Sequence, residues 1–191
     1  LNTTTASYNA GVGYQALYAN TTGSRNTGTG AYAFRFNTTG SDNTASGHQS
    51  LYKNTTASYN TAFGASALHE NTTGANNVAV GYAALKLNTN SYNSAFGSSA
   101  LTANTSGSQN NAFGRLALYS NTTGAQNSGF GNGALQANTT ASDNTAVGHN
   151  ALDTNTTGAN NTAVGSIALG ANTTASDNTS VGAGSMDATT T

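Results

Sequence analysis

The side chains able to do chemistry are few and widely separated along the chain. Among 191 residues there are three histidines (His48, His69 and His149), five Lys or Arg, six Asp or Glu, and no cysteine. Imidazoles could ligate a metal or move a proton. A carboxylate pair such as Asp143 and Asp177 could hydrolyse a glycosidic bond if held across a cleft. Without cysteine there is no thiolate metal site and no disulfide frame. The glycines form no G-x-G-x-x-G loop leading into a helix, and calcium-binding nonapeptides are absent. One motif is frequent: N-x-(S/T), the acceptor for N-linked sugar, at Asn20, Asn37, Asn54, Asn71, Asn104, Asn121, Asn138, Asn155 and Asn172, with further instances at Asn2, Asn160 and Asn178.

Whether any of these groups meet depends on what positions them, and here the sequence is explicit. The asparagines Asn9, Asn26, Asn43, Asn60, Asn77, Asn93, Asn110, Asn127, Asn144, Asn161 and Asn178 each open a repeat of the form N-T-A-(V/F)-G-x-x-A-L-x-x-N-T-T-(G/A)-(S/A)-x. The period is about 17 residues, and one repeat, opened by Asn77, is a residue short. Numbering positions from that Asn, position five is always glycine: Gly13, Gly30, Gly47, Gly64, Gly81, Gly97, Gly114, Gly131, Gly148, Gly165 and Gly182. Such regularity marks a backbone corner needing positive φ or a very close approach. Position nine is Leu, except for Phe34 and Met186, and position four is mostly Val or Phe.

Such a period is too short for a helix pair, and no i, i+3, i+4 stripe runs through it. Short apolar and β-branched runs between Gly corners predict an all-β chain, a parallel β-solenoid of about 11 coils of 17 residues each, one coil stacked on the next. At ~4.8 Å per tier the rod would be roughly 50 Å long. The short repeat reads "NTNSYN" (Asn88 to Asn93) where others read "NTTGANN", which places a corner at positions fourteen to seventeen. A three-sided coil, with further corners near positions five to six and ten to eleven, fits the pattern. The whole chain, residues 1–191, is expected to be a single repeat domain, an excerpt of a longer fibre.

On that frame the candidate chemistry disperses. His48 and His69 fall in neighbouring coils but at positions six and ten, and His149 lies five coils further on, so at best two ligands meet. Asp143 and Asp177 share a column two coils apart, about 9 to 10 Å by strand spacing, without a partner wall to make a cleft. No catalytic, metal or cofactor site is expected, and the chain is expected not to be an enzyme. Every charged residue, Tyr and His falls at positions six, seven, ten, eleven or seventeen, the expected watered edges. Tyr14, Tyr18, Tyr52, Tyr59, Tyr82, Tyr92 and Tyr119 could stack on sugars or on a partner.

The asparagines at position one, among them Asn26, Asn43, Asn60, Asn77, Asn110, Asn127, Asn144 and Asn161, are expected to stack amide on amide, as are those at position twelve. The position-thirteen threonines should form a hydroxyl column. Because the position-twelve asparagines are also the sequon acceptors, the ladder and the sugar readings compete there: an inward Asn makes the sequon incidental, an outward one makes it a glycan edge. Position three, always Gly, Ala or Ser, is expected to point outward beside an inward position four, presenting a smooth face to another copy; the converse, position three inside a tight interior, would leave an apolar Val/Phe stripe needing cover. Either way self-association is expected.

"NTAVG" followed by "xxAL" and "NTTG" resembles the head repeats of trimeric autotransporter adhesins and the tandem repeats of bacteriophage tail-fibre proteins. The resemblance implies a left-handed parallel β-roll, three chains per fibre, and an extracellular, cell-surface or virion location. It departs at Thr145, where adhesin heads carry an inward aliphatic residue. The function expected is a structural shaft that extends a surface-binding part toward a glycan or receptor, without cofactor. The alternatives are a secreted, glycosylated filament polymer and an ice-binding solenoid. The formal charge of −1 gives no basic stripe for nucleic acid, and no apolar run is long enough for a membrane span.

Overall fold

The computed structural model describes residues 5–187; Asn2, the first sequon, lies outside them. Eleven three-residue strands form one parallel sheet in chain order: β1 (Ala10–Val12), β2 (Thr27–Thr29), β3 (Thr44–Ser46), β4 (Thr61–Phe63), β5 (Val78–Val80), β6 (Ser94–Phe96), β7 (Asn111–Phe113), β8 (Ser128–Phe130), β9 (Thr145–Val147), β10 (Thr162–Val164) and β11 (Thr179–Val181). Equivalent repeat positions pair throughout. Thr44 sits opposite Thr61, Ala45 opposite Ala62 and Ser46 opposite Phe63, so each strand is positions two to four of its coil. The chain is a parallel β-solenoid of eleven coils.

Only one side of the coil is strand. The expected second and third sides are stacked turns, in which the backbone alternates handedness instead of running extended. Positions seven, nine and seventeen have positive φ in every described coil, as at Ser99 (59°), Leu101 (51°) and Gln109 (59°). A left-handed conformation costs a non-glycine residue about 1 to 2 kcal/mol. Hydrogen bonds between tiers offset that cost: Leu101 N–H donates to Ala117 O of the next coil (3.0 Å) and Ser99 N–H to Tyr82 O of the preceding one (2.8 Å). The alternation aims successive peptide groups up and down the rod, doing for a turn what a ladder does for a strand.

The interior is a set of columns. Position nine is almost fully buried: Leu17 and Phe34 are 1% and 0% exposed, and Leu51 through Leu169 repeat the pattern. Position eight contributes Ala33, Ala67, Ala84, Ala100, Ala117, Ala134, Ala151 and Ala168, also buried. Position three completes the core, which corrects the expected orientation of the strand. Ala45, Ala62, Ala79, Ala95, Ala112, Ala146 and Ala163 are fully buried, whereas Val12 and Val181 at position four are 64% and 70% exposed. The reason is space. A Cβ added at Gly28 would lie 3.3 Å from Leu17 Cγ, and one at Gly129 would lie 3.6 Å from Leu118 Cδ1. Leu at nine fills the coil, so the strand facing it must be small at three, and alternation turns Val or Phe at four to the outside.

The position-five glycines have φ between +126° and +148°. All but Gly182 also abut the next tier: a Cβ at Gly97 would fall 2.4 Å from Gly114 O and 2.5 Å from its carbonyl carbon. Both requirements, an unusual φ and a neighbouring peptide at contact, select glycine.

Candidate functional site

The most organised polar feature is the pair of asparagine columns, which lie inside the rod. At position one, each Oδ1 accepts the backbone N–H of the equivalent Asn one coil on: Asn43 N–H to Asn26 Oδ1 at 3.0 Å, Asn110 N–H to Asn93 Oδ1 at 3.0 Å, Asn161 N–H to Asn144 Oδ1 at 2.9 Å. Its Nδ2 crosses the coil to the position-fifteen carbonyl, as Asn127 does to Ala141 O (2.8 Å). Amide-to-amide bonds are secondary here, occurring at pairs such as Asn43–Asn26 (3.1 Å) and Asn127–Asn110 (3.2 Å). At position twelve the amides themselves form the ladder: Asn121 Nδ2 donates to Asn104 Oδ1 (2.9 Å) and Asn138 Nδ2 to Asn121 Oδ1 (2.8 Å). A second hydrogen bond from each goes to its own position-fifteen carbonyl, for Asn121 that of Gly124 at 2.9 Å. The two columns thus converge on one backbone oxygen per coil.

These position-twelve residues are the sequon acceptors. Asn20, Asn37, Asn54, Asn71, Asn104, Asn121, Asn138, Asn155 and Asn172 are fully buried, and their Nδ2 atoms donate within the coil stack. An oligosaccharide could reach them only before the coil closes, and would then occupy the space of the ladder. The position-thirteen hydroxyls are likewise engaged: Thr38 Oγ1 donates to Thr55 O (3.0 Å) and Thr122 Oγ1 to Thr139 O (3.0 Å). The Thr column therefore bonds to backbone oxygen and not hydroxyl to hydroxyl.

The short coil shows how a deletion is absorbed. Asn90 O takes the place of the position-fifteen carbonyl, accepting from Asn77 Nδ2 (2.9 Å) and Asn88 Nδ2 (2.6 Å). The position-one column passes through without a break, Asn93 N–H reaching Asn77 Oδ1 at 2.9 Å. The position-twelve column does not: the buried Asn71 Oδ1 has no hydrogen-bond partner, while the ladder resumes with Asn104 Nδ2 on Asn88 Oδ1 (2.7 Å).

Charged and aromatic side chains decorate the outside, and coils two to four gather them into one patch. The Arg35 guanidinium carbon lies 4.9 Å from the Phe36 ring centre, 5.4 Å from Tyr32 and 5.9 Å from Tyr52, within cation–π range. Arg35 Nη1 donates to Tyr52 Oη (2.9 Å). Tyr52 stacks on His69 at 5.0 Å, and His69 Nδ1 meets Glu70 Oε1 at 2.8 Å. Glu70 Oε2 pairs with Lys53 Nζ at 2.7 Å. The Lys53 hydrogen bond holds the Glu70 carboxyl below its usual pKa, burial opposing. Beside this chain runs a groove of about 460 Å³ between Ala19, Phe36 and Lys53 at position eleven and Thr38, Thr55 and Thr72 at position thirteen. The Thr38 and Thr55 hydroxyls turn to backbone oxygen, leaving methyl groups to line it.

Among the described residues no group of three or more His, Cys, Asp or Glu could hold a metal ion. His48 lies 6.1 Å from the Tyr32 ring and His69 belongs to the patch just described. Asp143 and Asp177 are both exposed, and Asp177 Oδ1 accepts from Asn160 Nδ2 (3.1 Å) in the adjacent coil. Asp42 is held below its usual pKa by the hydrogen bond from Arg25. Asp153 is raised, chiefly by burial, with its own and Thr154's backbone N–H groups pulling the other way. The neighbouring Asp187 carboxylate also raises Asp153. Tyr14 and Tyr32 meet edge to face at 5.2 Å, whereas Tyr59, Tyr82 and Tyr92 are exposed. The sequence did hold the signal for the patch: Tyr32, Arg35 and Phe36 in one coil, Tyr52 and Lys53 in the next, His69 and Glu70 in the third, at positions seven, ten and eleven.

No protein-family model, curated protein or solved structure matches this chain. No helix among the described residues is long and apolar enough to cross a membrane.

Proposed function

We propose that this chain is a non-enzymatic structural segment of a fibre, of adhesin or phage tail-fibre type, that holds a surface-binding part at a distance from its anchor. The observation that supports this most is the single unbroken register: every strand pairs with the next at equivalent positions, and the position-one asparagine column runs through the entire sheet. Each tier is tied to its neighbours by backbone bonds and buried amides, so load passes along the rod axis through many equivalent links. The resemblance of "NTAVGxxAL" and "NTTG" to adhesin-head and tail-fibre repeats supports an extracellular, cell-surface or virion setting with three chains per fibre. The patch around Arg35 and Tyr52 is the surface best suited to touch a glycan or receptor.

The test is geometric. In electron micrographs of the fibre, in-frame removal of residues 110–160, three coils, should shorten the shaft by about 14 Å at ~4.8 Å per tier without changing its diameter. A globular particle, or a shaft of unchanged length, would refute the reading. Mass per unit length separates a three-chain fibre from a single-chain secreted filament. The outward threonines at position two, such as Thr27, Thr44, Thr145 and Thr162, support ice binding as a second reading, and thermal hysteresis in the purified chain would establish it in place of the first.

A further inference from the structure

We infer that the outer face of the eleven-stranded sheet is a self-association surface, on which a second copy of this chain lies parallel and in register, strand tier against strand tier. This inference rests on the fibre reading and identifies a face on which two copies within such a fibre meet. Position four supplies an outward column that is apolar in eight consecutive tiers: Phe63, Val80, Phe96, Phe113, Phe130, Val147, Val164 and Val181. Its central rings are stacked face to face, Phe96 on Phe113 at 4.7 Å and Phe113 on Phe130 at 4.9 Å, with planes only 11° and 10° apart. The stacked rings form a continuous ridge. No residue of the eleven strands is charged, so the face offers nothing to a charged partner, and the position-two hydroxyls, such as those of Thr44 and Thr162, flank the apolar column.

Area and periodicity together identify the occupant. Three extended residues at ~3.3 Å each, over eleven tiers spaced ~4.8 Å, give a face of roughly 500 Å², so that two copies meeting there bury about 1,000 Å², the lower bound for a stable contact. The area is sufficient only if the whole face is used. Side chains projecting every ~4.8 Å interdigitate fully only with a surface of the same period, and a second copy is such a surface. Its direction follows from the polar tiers. Thr29 and Ser46 interrupt the column near one end. In a fully overlapped antiparallel pair these would face Val164 and Val147, whereas in a parallel arrangement they face each other and every apolar tier meets an apolar tier.

The experiment uses the full 191-residue chain. Sedimentation equilibrium at about 100 μM should show a discrete oligomer. Phe113→Asp with Phe130→Asp should reduce it to monomer with an unchanged β spectrum, whereas Thr123→Asp with Thr140→Asp, on exposed corner residues, should leave it intact. If the Phe pair disturbs the spectrum, Val147→Asp with Val164→Asp replaces it. The chain has no cysteine, so a spin label at Thr27→Cys reports direction. Parallel copies bring two labels within about 20 Å, while antiparallel ones hold them about 38 Å apart, eight tiers at ~4.8 Å. A monomeric wild type, a Phe variant that still assembles, a corner variant that dissociates, or the long label distance would each overturn the inference. A monomeric rod of the expected length would do so while leaving the fibre reading standing.

Discussion

Replacing Gly114 by Ala asks whether the position-five corner is demanded by the neighbouring coil or only by its own dihedral angle. Gly114 has φ +142°, and a Cβ there would lie 2.3 Å from Gly131 O and 2.5 Å from Gly131 C. Holding alanine at such a φ costs about 1 to 3 kcal/mol. Relieving the overlap requires the two tiers to separate by about 1 Å, since carbon and oxygen need roughly 3.3 to 3.5 Å. That opening strains the hydrogen bonds beside it, Gly131 N–H to Phe113 O (2.8 Å) and Gly133 N–H to Arg115 O (3.0 Å), at about 1 to 3 kcal/mol for each polar group left unsatisfied. The sum is on the order of 3 to 9 kcal/mol. Gly182→Ala is the internal control: its φ is +126°, but the nearest atom to its Cβ is Ser185 Cβ at 3.8 Å, so only the dihedral cost of about 1 to 3 kcal/mol applies. Arg115→Ala, exposed next door, should change stability by no more than about 0.5 kcal/mol. Urea melts followed by circular dichroism, with limited proteolysis to locate the first cut, measure all three. Gly114→Ala should be cut near residues 113–132 well before wild type. Equal loss in the two glycine variants would refute the close-approach argument and leave only backbone strain.

Further outcomes follow from the same geometry. Asn121→Asp replaces two donated hydrogen bonds with a carboxylate facing Asn104 Oδ1 and Gly124 O; it should destabilise by about 3 kcal/mol or more, the loss growing as pH rises above about 4, read from melts at pH 3 and 7. Asn121→Ser, still able to bond once, should lose less. Asp153 has a raised folded pKa, so its ionisation disfavours the native state: the penalty is absent below the unfolded carboxylate range and develops as pH rises through the folded pKa. Asp153→Asn should therefore raise Tm at pH 7 and not at pH 3. Glu70 is lowered by Lys53, so that pair stabilises above the unfolded carboxylate pKa and the gain is lost as pH falls; Lys53→Ala should cost at most about 1 kcal/mol at pH 7 and nothing near pH 2. An oligosaccharyltransferase offered the folded chain should leave Asn121 unmodified while using an unfolded peptide that contains it, as seen by intact mass.

The stacking was legible in the sequence because a repeat with invariant glycine allows few three-dimensional solutions. Period, register and the corner holding the deletion all follow from aligning the chain with itself. The orientation of the strand was not legible. Val beside Ala suggests an inward Val, and only the bulk of Leu at position nine, fixed by the turn geometry, reverses the choice. The left-handed turns were hidden because Leu101 and Ser99 are not residues whose chemistry announces positive φ; the conformation is imposed by bonds to the tiers on either side. The partition of labour between the asparagine columns was also unreadable, since the same residue type at positions one and twelve uses different acceptors. The aromatic patch needed two facts at once, the register and the direction of each side chain, and only the first was in the repeat.

The missing residue between Asn88 and Asn93 gives an otherwise uniform shaft a distinguishable place. Elsewhere the two amide columns bear the load together; between Asn71 and Asn88 one of them is interrupted and the other acts alone. A stretched rod should therefore part first at this step, dividing into a shorter end that bears the Arg35 patch and a longer one that bears the Phe stack.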